Sequence, residues 1–162
     1  MKQSIKVEKL VLSPETQEEL QERFALIYTG QRRLARNLLR EVVGRYIGSD
    51  KNTIAVIYEI QRYATLMRFE LRKGNVEAFA KLLNEHWELS KRLDQGCTNT
   101  CIDQIFLACE DLIVGKMICG AGGGGFLQVV MKQGVTKEML RRRIKEVFQD
   151  SGVDVWECEL LF

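Results

Sequence analysis

Apolar positions along the 162-residue chain change spacing several times, and the changes divide it into short strands and longer helices. Ile5 to Leu12 alternate imperfectly and predict a strand. Ser13-Pro14-Glu15 then offers a capping hydroxyl, a proline at the first helical position and an acidic residue in the opening turn. A short helix is expected from there to near Arg23. Phe24 to Tyr28 is a brief apolar run closed by Thr29-Gly30, the pattern of a buried strand. Four longer helices follow. Gln31 to Tyr46 carries Leu34, Leu38 and Val42 at helical spacing and stops at Gly48. Ile57, Ile60, Ala64, Met67 and Leu71 make the second stripe, closed by Gly74. After Asn75, the third places Val76, Phe79, Ala80, Leu83 and Trp87 on one side. The fourth aligns Ile102, Ile105, Phe106, Cys109 and Ile113, capped by Thr98 or Asn99 and ended by Gly115.

The last third changes character. Lys116 to Cys119 and Phe126 to Lys132 read as strands on either side of a glycine run. Thr136 opens a basic amphipathic helix reaching Gln149, and Val153 to Leu160 alternate as a final strand. Strands at both ends with helices between them predict an α+β fold. The expected form is a largely antiparallel sheet covered by helices, a ferredoxin-like core with inserted helices, in one domain spanning residues 1–162.

Composition narrows the function classes without naming one. A net charge of +2 is too small to argue for nucleic acid or an anionic membrane surface. No apolar run approaches the length of a membrane span, and the N-terminus lacks the layout of a signal peptide, so a cytoplasmic protein is expected. Five cysteines, an odd number at Cys97, Cys101, Cys109, Cys119 and Cys158, do not make a disulfide framework. Cys97, Cys101 and the upstream His86 suggest a metal site only weakly, because no second close pair of ligands exists. Buried reduced thiols are the favoured reading, and no metal site is expected.

Gly120-Ala121-Gly122-Gly123-Gly124-Gly125 demands a functional explanation. Each glycine costs about 0.5–1 kcal/mol against alanine in regular structure, so the concentration points to positive φ angles or to close approach of another group. Unhindered successive N–H groups can also form a concave nest for phosphate. A Walker-type loop would require a lysine and a hydroxyl directly after the glycines, where Phe126-Leu127 stands. Gly120, Gly122 and Gly125 satisfy GxGxxG, but that motif must open a helix, and Phe126 to Met131 has the pattern of a strand. A flexible hairpin without a ligand remains the bland alternative.

Lys116-Met117-Ile118-Cys119, followed by the glycines and Phe126, resembles the third signature motif of the GHMP kinases, a family of small-molecule kinases. Tyr28-Thr29-Gly30-Gln31-Arg32-Arg33-Leu34-Ala35-Arg36-Asn37 is similar to a strand-to-helix segment of their sugar-1-kinase branch. Leu83-Asn84-Glu85-His86-Trp87, Thr98-Asn99-Thr100-Cys101-Ile102-Asp103 and Gln149-Asp150-Ser151-Gly152-Val153 look like the L-fucose kinase version. The resemblance covers nearly the whole chain and implies the C-terminal domain of such a kinase. The family's Pro-x-x-x-Gly-Leu-Gly-Ser-Ser phosphate loop, magnesium ligands and catalytic aspartate belong to the N-terminal half, which has no counterpart here. The resemblance therefore implies no catalytic residue in this chain, and ATP and Mg2+ as cofactors of the complete enzyme that do not bind tightly to this chain alone. The implied partners are an N-terminal kinase half, in the same chain or a separate subunit, and a sugar. A bare apolar face and self-association are further expectations.

Within the chain, the phosphate-proximal candidates are Gly120, Ala121, Gly122, Gly123, Gly124 and Gly125, acting through backbone N–H groups. The sugar-proximal candidates are Thr29, Gly30 and Arg33 at a strand-to-helix junction, with Asn99 and Asp103 at the start of the fourth helix. Each has a plainer reading. Arg33 shares a stripe with Arg36 and Arg40, Asn99 suits an N-cap, and Asp103 suits a helix dipole. His86 beside Trp87 fits a packed histidine, and Arg141, Arg142 and Arg143 a solvated helix face. The rival function is a non-catalytic ferredoxin-like regulatory domain that binds a phosphorylated metabolite.

Overall fold

The computed structural model describes residues 8–31 and 36–162. Helix α1 (Pro14–Arg23) leads into strand β1 (Phe24–Tyr28); α2 (Arg36–Ile47), α3 (Lys51–Arg72), α4 (Val76–Leu93) and α5 (Thr100–Ala108) follow. Strands β2 (Ile113–Ile118) and β3 (Phe126–Met131) flank the glycines, and α6 (Lys137–Phe148) and β4 (Asp154–Trp156) close the fold. The sheet order is β2-β3-β1-β4, and every pairing is antiparallel. This is the ferredoxin-like arrangement, with α2 to α4 added between β1 and α5.

The helix starts follow local chemistry. Ser13, Asp50, Asn75, Asn99 and Thr136 each accept a backbone N–H with a side-chain oxygen at the heads of α1, α3, α4, α5 and α6. Period-two burial in β1 sends Ala25 and Ile27 into the main core with Leu127, Val129 and Met131 of β3. Trp87, Ile102, Ile105, Leu140 and Ile144 cover them from α4, α5 and α6. On the other face, Leu12, Leu20, Val76, Ala80 and Leu83 surround Val130.

Helix α4 also guards the edge strand β2. Gly115, beside a register shift in β2, lies so close that an added Cβ would meet the Ala80 backbone at 2.7 Å. Asn84 donates from Nδ2 to Val114 O at 2.8 Å and accepts from Lys116 N at 2.8 Å, filling two backbone positions of the edge.

Several expectations need correction. Residues 8–12 form no strand; Leu10 and Leu12 pack instead beside Leu20 and Phe24, while Ile5 to Val7 lie outside the described residues. The described part of the first of the four longer helices, α2, begins at Arg36 and ends at Ile47; residues 32–35 lie outside the description. The α5 helix is capped by Asn99 and ends at Ala108, so Ile113 and Gly115 belong to β2. The four-residue step from Cys109 to Ile113 fits either period, and pairing of Ile113 with Met131 decides it. The final strand shrinks to Asp154–Trp156 because Gln21 takes the partner's place beyond it. Its side chain donates to Cys158 O at 3.0 Å and accepts from Leu160 N at 2.8 Å. The arginines of α6 are not one solvated face. Arg143 clasps both carboxylate oxygens of Asp111 at 2.7 and 2.9 Å, Arg141 pairs with Glu157, and Arg142 is exposed.

Candidate functional site

The loop between β2 and β3 is held by two other segments, the exit of β1 and the start of α5. Thr29 donates to Gly125 O twice, from N at 2.9 Å and from Oγ1 at 3.0 Å. Gly125 N donates to Gln31 O at 2.9 Å, and Gly123 N donates to Cys97 O at 2.7 Å. Asn99 Oδ1 accepts from Ile102 N at 3.1 Å, while its Nδ2 donates to Gly123 O at 3.1 Å. The same Nδ2 lies 3.4 Å from Gln31 Oε1.

The glycines are required by this geometry. Gly120, Gly122, Gly123 and Gly125 have φ of 72°, 94°, 77° and 84°, in the left-handed region. At Gly122 a side chain is excluded twice over, because a Cβ would also stand 2.5 Å from Cys97 O. Among the described residues, the amides of Gly120, Ala121 and Gly124 have no hydrogen-bond acceptor. Those of Gly123 and Gly125 are spent on protein carbonyls. The loop therefore keeps some free donors and uses others to hold its shape, beside the amino end of α5 with its partial positive charge.

Of the sugar-proximal candidates, Thr29, Gly30 and Asn99 come together at the loop. Thr29 is buried and tied to Gly125; Gly30 is exposed and backs onto the Ser151–Gly152 turn. Asn99 is the cap of α5 as well as a loop contact. Asp103 is exposed in the first turn of α5 and accepts from Thr98 Oγ1 at 2.7 Å. Arg33 lies outside the described residues. His86 is partly buried, with Nδ1 3.3 Å from Ser90 Oγ, and burial lowers its pKa. Burial pushes the Cys97 thiol up to about 11 and that of Cys109 up to about 12, so both are neutral at physiological pH. Among the described residues, no three His, Cys, Asp or Glu side chains group as metal ligands.

Sequence reasoning missed Gln31 and Cys97 as loop anchors, because both act through backbone carbonyls that every residue possesses. It also missed Asp94. Its Oδ1 accepts from Gly96 N at 2.8 Å, but Oδ2 is buried without a partner. Asp94 borders a cavity of about 280 Å³ that reaches Gly120 and Ala121. A larger cavity of about 560 Å³ lies at the other end of β3, against α1 and the turn before α6. It adjoins Arg23, whose guanidinium is occupied by Met131 O, Glu19 and Glu77.

No family model matches the chain. It is 33% identical over 142 residues to the bifunctional fucokinase/GDP-fucose pyrophosphorylase of Arabidopsis thaliana, covering 88% of this chain and 14% of that protein. It is 28% identical over 131 residues to the L-fucokinase/L-fucose-1-P guanylyltransferase of Bacteroides fragilis, again covering 14% of the relative and 81% of this chain. The crystal structure of L. major mevalonate kinase in complex with R-mevalonate superposes with a TM-score of 0.71 at 14% identity, over 83% of this chain and 41% of that one. That last likeness is one of fold. Over most of its length the chain is similar to the fucokinases, and its fold is that of the C-terminal domain of GHMP kinases. It spans about one-seventh of the curated relatives' length and about two-fifths of that solved kinase. Among the described residues, no helix is long and apolar enough to cross a membrane.

Proposed function

We propose that this chain is the C-terminal lobe of a cytoplasmic ATP-dependent kinase that converts L-fucose to L-fucose 1-phosphate, and that its glycine loop lines the phosphoryl-transfer site. The observation that carries the reading is the loop itself. It is clamped by Thr29, Gln31, Cys97 and Asn99, yet retains free amides at Gly120, Ala121 and Gly124 beside the amino end of α5. Phosphoryl transfer is catalysed mainly by positioning and by donors placed around the transferred group. Such a loop supplies donors on one side. The anomeric hydroxyl attacks the γ-phosphorus, the bond to the bridging oxygen of ADP breaks, and the hydroxyl proton passes to a base.

That base, the cradle for the remaining phosphates and the Mg2+ ligands are assigned to an N-terminal kinase half. Mg2+ ordinarily arrives on substrate phosphates held by one or two carboxylates, which fits a site shared between two lobes. Thr29, Gly30 and Asn99 border the sugar side of the loop, and Asp103 stands one turn into α5. An exposed apolar surface supports docking of a second lobe. Tyr28, Phe126 and Trp156 form an aromatic cluster with ring centroids 5.0 to 5.5 Å apart on the sheet face away from α5 and α6. Trp156 is 51% exposed, and Phe126 directly follows the loop.

Calorimetry of the chain with ATP, Mg2+ and L-fucose tests the shared-site reading. Half a site gives no binding tighter than about 1 mM. Micromolar binding of ATP to the chain alone contradicts it and favours a self-sufficient phosphate-binding module.

A further inference from the structure

We propose that Asn99 is a positioning residue that locks the Gly123–Gly124 peptide, and thereby aims the Gly124 amide as a donor to a phosphoryl oxygen. The ligand in this statement rests on the kinase reading above; the lock does not. An N-cap needs only an acceptor, and Asp, Ser or Asn serve almost equally. Asn99 supplies that acceptor to Ile102 N through Oδ1 and spends its donor on Gly123 O at 3.1 Å. Doing both takes an acceptor and a donor that each reach that far, which the forked amide supplies and a carboxylate does not.

The carbonyl of Gly123 and the N–H of Gly124 belong to one planar trans unit and point in opposite directions. Holding the oxygen against Asn99 therefore turns the Gly124 N–H to the other side, where it has no acceptor among the described residues. Glycine on both sides of this peptide makes its rotation sterically cheap, so the orientation needs an external hold. The neighbouring ties, Gly123 N to Cys97 O and Gly125 N to Gln31 O, fix the two peptides on either side but not this one.

Asn99→Asp and Asn99→Ser separate the two roles: both keep a capping oxygen, the ionised Asp carboxylate has no donor, and the Ser hydroxyl lies one bond short of the Nδ2 position that reaches Gly123 O; Asn99→Ala removes both. The expected result has three parts. Ser and Asp variants unfold in urea close to the unsubstituted midpoint, whereas the Ala variant unfolds earlier. In 15N NMR spectra of both capped variants, the Gly124 amide resonance broadens or splits. When this chain with the same changes is joined to an N-terminal kinase half as one polypeptide, kcat falls roughly tenfold to a hundredfold while KM for the sugar stays within about twofold, the signature of misplacement rather than lost binding. An unchanged, sharp Gly124 resonance in both capped variants overturns the proposal. So does destabilisation of both as severe as that of the Ala variant. If the unsubstituted polypeptide transfers no phosphoryl group, the kinase reading fails, and the Gly124 resonance still decides the lock.

Discussion

Gly122 and Gly120 sit two residues apart in the same loop with positive φ, yet their surroundings differ sharply. A Cβ at Gly122 would collide with the Cys97 backbone, while at Gly120 it would meet nothing within 4 Å. Both substitutions to alanine carry the left-handed penalty of about 1–2 kcal/mol. Gly122→Ala must in addition push the loop away from the start of α5. Urea denaturation should therefore show Gly120→Ala losing about 1 kcal/mol and Gly122→Ala about 3 kcal/mol. Equal losses would mean that the contact with Cys97 contributes nothing. At this scale the sequence was partly legible. The glycine run announces an unusual backbone, but the selection of Gly122 for contact and Gly120 for conformation depends on Cys97, 25 positions away in the chain.

Between elements, two side-chain amides stand in for missing strands. Gln21 of α1 holds the backbone beyond β4, and Asn84 of α4 holds the outer edge of β2. Asn84→Ala strips one donor and one acceptor from partly buried backbone groups, and should cost about 2 kcal/mol in urea unfolding. A cost below about 0.5 kcal/mol would mean that water replaces the amide freely. Such clamps also mark where pattern reading stops. The boundaries of α1, β1 and α6 and the start of α4 were visible because capping residues and apolar period agree there. The end of α5 and the length of β4 were not, since Cys109 to Ile113 suits two periods and Gln21 replaces a strand partner. Residues 8–12 show the same limit: their apolar positions serve a groove beside α1 rather than a sheet.

For the whole molecule, the ferredoxin-like sheet brings the loop, the β1 exit and the α5 start to one end, with the aromatic cluster beginning beside it. The fold was legible as a class, and the glycine run as a loop of unusual backbone. The way the loop is tied was not, because backbone carbonyls do most of the tying. We propose that this domain completes a fucokinase site. Its most direct test replaces the matching segment of the Arabidopsis fucokinase/GDP-fucose pyrophosphorylase with this chain and measures ATP-dependent phosphorylation of L-fucose. Pyrophosphorylase activity reports on whether the hybrid is intact. The hybrid is expected to form L-fucose 1-phosphate, and Gly122→Ala in the transplanted segment to reduce the rate at least tenfold. A hybrid with normal pyrophosphorylase activity and a folded transplanted domain, but no phosphorylation of fucose, would contradict it.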